Sequence, residues 1–118
     1  MGEMLYKVAR AAEWDAARKV GVFTGSADDE RDGFIHLSRG TQLKATLEKH
    51  FAEEDGLLLV ALDIAALGPA LKWEASRGGE NFPHLYGPLK LTSVHSVVPI
   101  RRDGDGRPIL PSDVFANP

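Results

Sequence analysis

Leu57-Leu58-Leu59-Val60-Ala61-Leu62 is apolar at every position. Successive side chains on a strand point to opposite faces, so an unbroken apolar run has no face to offer to water. The run therefore reads as a strand at the centre of a sheet, covered on both sides. It is far shorter than the roughly 20 residues a helix needs to cross a bilayer.

The flanking segments fill in an α+β domain. Before the run, Thr41 is a good N-cap for a helix reaching about residue 51, with Leu43, Leu47 and Phe51 at four-residue spacing. After it, residues 63–67 read as a helical turn capped by Asp63 and broken by Gly68-Pro69, followed by the short strand Leu71-Lys72-Trp73-Glu74. Residues 76–88 read as a long irregular segment, the kind of connection that carries function. Residues 94–100 are a strand, with Pro99 marking an edge or a bulge. Asp103-Gly104-Asp105-Gly106 is a turn from which Arg107-Pro108-Ile109 can pair back, and the tail from Pro111 is expected to be loosely held.

Towards the N-terminus, Leu5-Tyr6-Lys7-Val8-Ala9 alternates as a strand does. Residues 11–20 form an amphipathic helix around Trp14 and Ala17, with Arg18-Lys19 in its last turn and Gly21 as its stop. Val22-Phe23-Thr24 is briefly extended, and residues 25–31, with Asp28-Asp29-Glu30, read as an exposed loop. Phe34-Ile35-His36-Leu37-Ser38 is a strand that places Phe34, His36 and Ser38 on one side and Ile35 and Leu37 on the other.

With 118 residues the chain suits one domain, 1–118, with an ordered core at about 4–111. A composition 43% hydrophobic and 26% charged is that of an ordinary globular protein. A net charge of −3 argues against a broad electrostatic grip on nucleic acid, and the local pair Arg101-Arg102 does not change that. The absence of cysteine removes disulfides, zinc–thiolate sites and thiol catalysis, and fits a reducing cytoplasm. No apolar stretch near Met1 is long enough for a secretion signal, so a cytoplasmic location is expected. The expected partner is a small anionic molecule, and the expected state is a monomer or weak dimer.

Chemistry concentrates around two histidines. His36 can donate, accept or exchange a proton, with Ser38 on the same strand face, or it is a histidine satisfied by a backbone carbonyl. His84 lies in Asn81-Phe82-Pro83-His84-Leu85-Tyr86-Gly87-Pro88-Leu89, where proline and glycine can hold it in a site. The alternative is that Phe82, Leu85 and Tyr86 plug one end of the sheet and His84 caps it. Glu74 either orients a hydroxyl or stabilises a cationic sugar-like centre, or it is a surface charge near Lys72 or Arg77. Arg77-Gly78-Gly79 can form an anion-binding concavity or a plain flexible turn, and Arg39-Gly40-Thr41 is a second candidate for an anion. His50 and His95 read as structural. His36, His84 and Glu74 make a conceivable His₂Glu metal set, but without the close local spacing such ligands show, so no metal is assigned.

Four markers resemble an uncharacterised, mostly bacterial family known as domain of unknown function 952. They are Trp14, Asp32-Gly33-Phe34-Ile35-His36-Leu37-Ser38, Trp73-Glu74 and Phe82-Pro83-His84-Leu85-Tyr86-Gly87-Pro88-Leu89. That family is similar in fold to ADP-ribosylation proteins, which implies a small split, mostly antiparallel β-structure with a dinucleotide cleft. The order of strand, helix, glycine, loop and His-x-Ser strand also resembles the tRNA 2′-phosphotransferase branch. The resemblance implies a transferase of the ADP-ribosyltransferase-like type with an NAD-like dinucleotide as cofactor. Arg39 or Arg77 would hold phosphate, His36 and Tyr86 would frame the nicotinamide ribose, and Glu74 would stabilise the oxocarbenium-like charge. Ser38, Gly78 and Gly79 would complete the cleft. One departure stands out: enzymes of that type carry a histidine in the first strand, and this chain has Lys7, which can meet phosphate as a point charge but cannot mimic imidazole. The alternative is a non-catalytic ligand- or protein-binding domain on the same scaffold.

Overall fold

The apolar run becomes the middle strand of an antiparallel sheet. The computed structural model of the protein describes residues 3–52, 54–75, 79–111 and 114. In it, β4 (Leu57–Asp63) lies between β1 (Met4–Arg10) and β8 (Val94–Pro99). Leu58, Val60 and Leu62 pack into one cluster with Leu5, Ala9, Trp14, Phe23, Ile35, Leu37, Leu85 and Leu89. Leu57, Leu59 and Ala61 enter another with Tyr6, Val8, Leu43, Leu47 and Val114. One strand thus carries two cores, and each fully buried leucine is worth about 1.5–3 kcal/mol in area removed from water.

Around this sheet the chain follows its local signals closely in some places. Helix α1 (Ala11–Val20) ends at Gly21, whose φ of 85° gives the left-handed cap expected of glycine. Strand β2 (Val22–Phe23) pairs with β7 (Leu89–Lys90). β8 is an edge strand ending in Pro99, and its register with β4 slips beside His95, between the pairs Ala61–Ser96 and Leu62–Val94. Strand β9 (Arg101–Arg102) pairs with β10 (Pro108–Ile109) across the expected turn. Asp63 caps the 3-10 turn Ile64–Ala66 by accepting from the Ala65 N–H at 3.0 Å.

Elsewhere tertiary structure overrides the local reading. The segment expected as an exposed acidic loop contains α2 (Ala27–Asp32), and Asp29 within it is buried. Ser26 is its N-cap: Asp29 N–H donates to the Ser26 hydroxyl, and the Asp29 carboxylate accepts the Ser26 N–H at 2.9 Å. The two acidic neighbours of Asp29 masked this capping-box spacing. Thr41 caps nothing; it is exposed within the 3-10 turn Gly40–Gln42, where Arg39 N–H donates to the Gln42 side chain, and α3 (Leu43–His50) follows. The turn Ile64–Ala66 does end before Gly68-Pro69, but these two residues then open a separate 3-10 turn, Gly68–Ala70. In the tail, Val114 is buried against the second core.

The largest correction concerns the segment read as irregular. Within it, β6 (Asn81–Leu85) is the middle strand of a second antiparallel sheet, between β3 (Ile35–His36) and β5 (Leu71–Ala75). Proline is normally excluded from a middle strand because it lacks an N–H. Pro83 is tolerated because its carbonyl, which accepts from Leu37 N–H at 3.1 Å, points to the β3 side just where β3 ends. The missing donor therefore leaves the β5–β6 ladder intact. The expected strand at 34–38 is shortened to β3, and Ser38 instead bridges to Tyr6 with paired backbone bonds of 2.8 and 2.9 Å. That bridge ties the two sheets together. The result is a compact α+β domain with antiparallel sheets and, among the described residues, three short α-helices.

Candidate functional site

A cavity of about 460 Å³ opens where the bridge joins the sheets. Its walls include Lys7 and Val8 from β1, Asp29 and Asp32 from α2, His36 and Ser38 from the β3 segment, Thr46 and His50 from α3, and Phe82 and His84 from β6. His36 and His84 are direct partners in the β3–β6 register, so their side chains emerge on the same face. Their rings lie 5.7 Å apart.

Asp29 organises one side. One carboxylate oxygen meets the Lys7 ammonium at 2.8 Å and the Ser26 N–H; the other accepts from the His36 backbone N–H at 3.0 Å and contacts His36 Nδ1 at 2.6 Å. Burial opposes its charge, yet the His36 contact and Lys7 together hold this carboxyl far below the usual carboxylate range. The other nitrogen of His36, Nε2, lies 2.9 Å from Asp32, one turn further along the same face of α2. Asp29 and Asp32, three positions apart, thus grip one imidazole from a single helix.

Glu74 organises the other side. One of its oxygens accepts the Tyr86 hydroxyl at 2.7 Å and contacts His84 Nδ1 at 2.8 Å. The Tyr86 hydroxyl and then His84 hold the Glu74 carboxyl below its ordinary range, while the same bond pushes the Tyr86 phenol up. Phe34 stacks on the His84 ring at 4.0 Å and touches His36 and Tyr86 at 4.6 and 5.2 Å, spacing the two histidine stations.

Of the residues singled out in the sequence, the structure brings Lys7, His36, Ser38 and His84 to the cavity. Glu74 and Tyr86 stand behind His84 instead of lining it. The charge of Lys7 is met by Asp29, and its side chain is 5% exposed. Arg39 is exposed and stacks over Trp73 at 4.6 Å. Gly79 is exposed with a φ of 78°, and Arg77 and Gly78 lie outside the described residues. Among the described residues no group of three or more histidine, aspartate or glutamate side chains is placed to hold a metal. Nor is any helix among them long and apolar enough to cross a membrane.

Sequence reading missed Asp29, Asp32, Thr46 and the cavity position of His50. Asp29 was within reach, because Ser26-x-x-Asp29 is a capping spacing that puts Asp32 on the same helix face. Thr46, whose hydroxyl meets that of Ser38 at 3.0 Å, carried no signal of its own.

Comparison with known proteins gives matches of one kind. The model of the family described as protein of unknown function (DUF952) matches residues 8–97. The crystal structure of protein CC0527 from Caulobacter crescentus superposes with a TM-score of 0.89 at 47% identity, over 95% of this chain and 98% of that one. A solution NMR structure of CC0527 matches with a TM-score of 0.80 at 50% identity, over 89% of this chain and 90% of that one. No curated protein matches.

Proposed function

Since the chain belongs to this family of unknown function, we propose a role from the cavity itself: a cleft for a nucleotide-like small molecule, with transferase chemistry of the ADP-ribosyltransferase-like type. The observation that carries it is the pairing of His36 and His84 at one register, each held by a separate carboxylate and both facing one cavity. An oriented imidazole opening on a hollow whose wall is fixed by a second one is the equipment of a site that handles hydroxyls and protons.

The charge balance of the wall says which end of such a ligand enters. Lys7 is paired with Asp29, and Arg31 lies 3.3 Å from Asp28 and 3.1 Å from Asp32. A bare anion gains little from cations already matched, whereas ribose hydroxyls can donate to carboxylates and to an imidazole lone pair. The sugar therefore sits inside the cavity, and the phosphate is directed towards its mouth, away from the paired cations. On an NAD-like dinucleotide the bond from the ribose to nicotinamide breaks, nicotinamide leaves with the electron pair, and an acceptor hydroxyl adds as an imidazole takes its proton. The ADP-ribosylation-like fold suggested by the sequence markers fits this assignment.

The test is a thermal-shift and calorimetry panel of an NAD-like dinucleotide, ADP-ribose and simple nucleotides. A ligand at about a hundred times its dissociation constant stabilises by about 2.7 kcal/mol, a readily visible rise in midpoint. No shift with any member at millimolar concentration overturns the nucleotide reading. A second reading, a binding domain without chemistry, is favoured by one observation: Lys7 occupies the first-strand position and is sealed in an ion pair with Asp29. Binding without turnover in the same panel would select it.

A further inference from the structure

We propose that the two histidines have different tasks: His84, through Nε2, is the proton-transfer group of the cavity, Glu74 and Tyr86 are its positioning residues, and His36 is a cross-link. This rests on the reading of the cavity as a ligand site.

A neutral imidazole has one nitrogen that donates and one that accepts, and the partner of the first selects the second. His84 Nδ1 lies 2.8 Å from a carboxylate oxygen of Glu74, so it is the nitrogen that carries the proton. The lone pair then resides on Nε2, in a ring that lines the cavity. Two further contacts hold the arrangement. The stack of Phe34, at 4.0 Å and 25° between planes, fixes the ring's tilt. The Tyr86 hydroxyl donates to the same Glu74 oxygen at 2.7 Å, which anchors the carboxylate from behind. Tyr86 is exposed and does not line the cavity, so it acts through Glu74 and not on a ligand.

His36 is built differently. Its Nδ1 lies 2.6 Å from Asp29 and its Nε2 2.9 Å from Asp32, so both nitrogens are engaged by carboxylates of α2. With neither nitrogen presented to a ligand, the ring ties β3 to α2 and shapes the wall.

Exposure and lone-pair placement make opposite predictions, which gives the test. The His36 side chain is 37% exposed and that of His84 9%. In the full chain, treated with diethylpyrocarbonate in mildly alkaline buffer and read peptide by peptide, His84 is expected to be acylated at Nε2 before His36. Long-range proton–nitrogen NMR, assigned with H50Q, H84Q and H95Q variants, is expected to show His84 with its proton on Nδ1. Glu74→Ala should move that proton to Nε2, the form an unheld imidazole prefers in water, and slow acylation several-fold. Tyr86→Phe should keep the proton on Nδ1 with broader signals. Backbone amide spectra establish that each variant is folded. A proton on Nε2 of His84 in the unmodified protein, or His36 acylated first, overturns the proposal. These readouts need no natural ligand, so failure of the nucleotide panel with the tautomer intact would remove the cleft's assigned ligand and leave the division between the histidines standing.

Discussion

The cavity has two carboxylate–histidine stations made of the same chemical parts in opposite surroundings. At the Asp29–His36 station the carboxylate side chain is 1% exposed and shared with a buried lysine; at the Glu74–His84 station the carboxylate is 41% exposed and shared with a phenol. A buried charge must be met on every side because its desolvation cost is not otherwise repaid. Asp29 accordingly collects an ammonium, two backbone N–H groups and an imidazole. Glu74 is under no such constraint, since water reaches it, and its contacts can be spent on aiming one ring. The first station is therefore set into the architecture, and the second is the one to which the proposed proton transfer is assigned.

The sharpest way to break this contrast is Asp29→Ala. It strands the Lys7 ammonium in the interior and removes the acceptor for Ser26 and His36, so we expect a loss of about 3–5 kcal/mol in chemical denaturation. A loss under ~1 kcal/mol would show that the buried station is not structural. Acid titration sharpens the same point. Asp29 has a folded-state pKa below its ordinary value of 3.8, so its contribution is fully present above that value and is lost as pH falls towards the depressed one. Stability measured below about pH 4 should fall more steeply in the native protein than in Asp29→Asn; equal slopes would contradict the assignment. Lys7→Met keeps the apolar stem and leaves Asp29 three of its partner groups, so a smaller loss of ~1–3 kcal/mol is expected. At the exposed station, Glu74→Gln and Tyr86→Phe should each change stability less than Lys7→Met does, because water screens their contacts. A larger loss at Tyr86 than at Lys7 would reverse the comparison.

These two stations also differ in how far they could be read from the chain. His84, Glu74 and Tyr86 were visible because unusual residue types cluster around Pro83 and Gly87. Their order of action was not, since the bond from Tyr86 to Glu74 spans two strands of a sheet that the sequence did not announce. Asp29 was hidden by its neighbours: Asp28 and Glu30 are exposed and made the segment look solvated throughout. β6 was hidden by Pro83, whose absent N–H argues against a middle strand unless the neighbouring strand ends beside it. Thr41 failed as a cap because the helical turn starts before it, at Gly40, with the Arg39 N–H received by the Gln42 side chain, so Thr41 lies inside the turn.

What the chain determined by itself was whatever depends on near neighbours: the two-faced apolar strand β4, the helix α1 with its glycine stop, and the turn between β9 and β10. Side-chain alternation and backbone preference act over a few residues and need no partner to be legible. The tertiary structure alone decided which carboxylate each histidine faces, because Asp29 meets His36 and Lys7, and Glu74 meets His84, only after separate segments have been brought together by the two sheets and the Tyr6–Ser38 bridge. Hydrogen bonds and ion pairs act over a few ångströms, so their partners are chosen by packing.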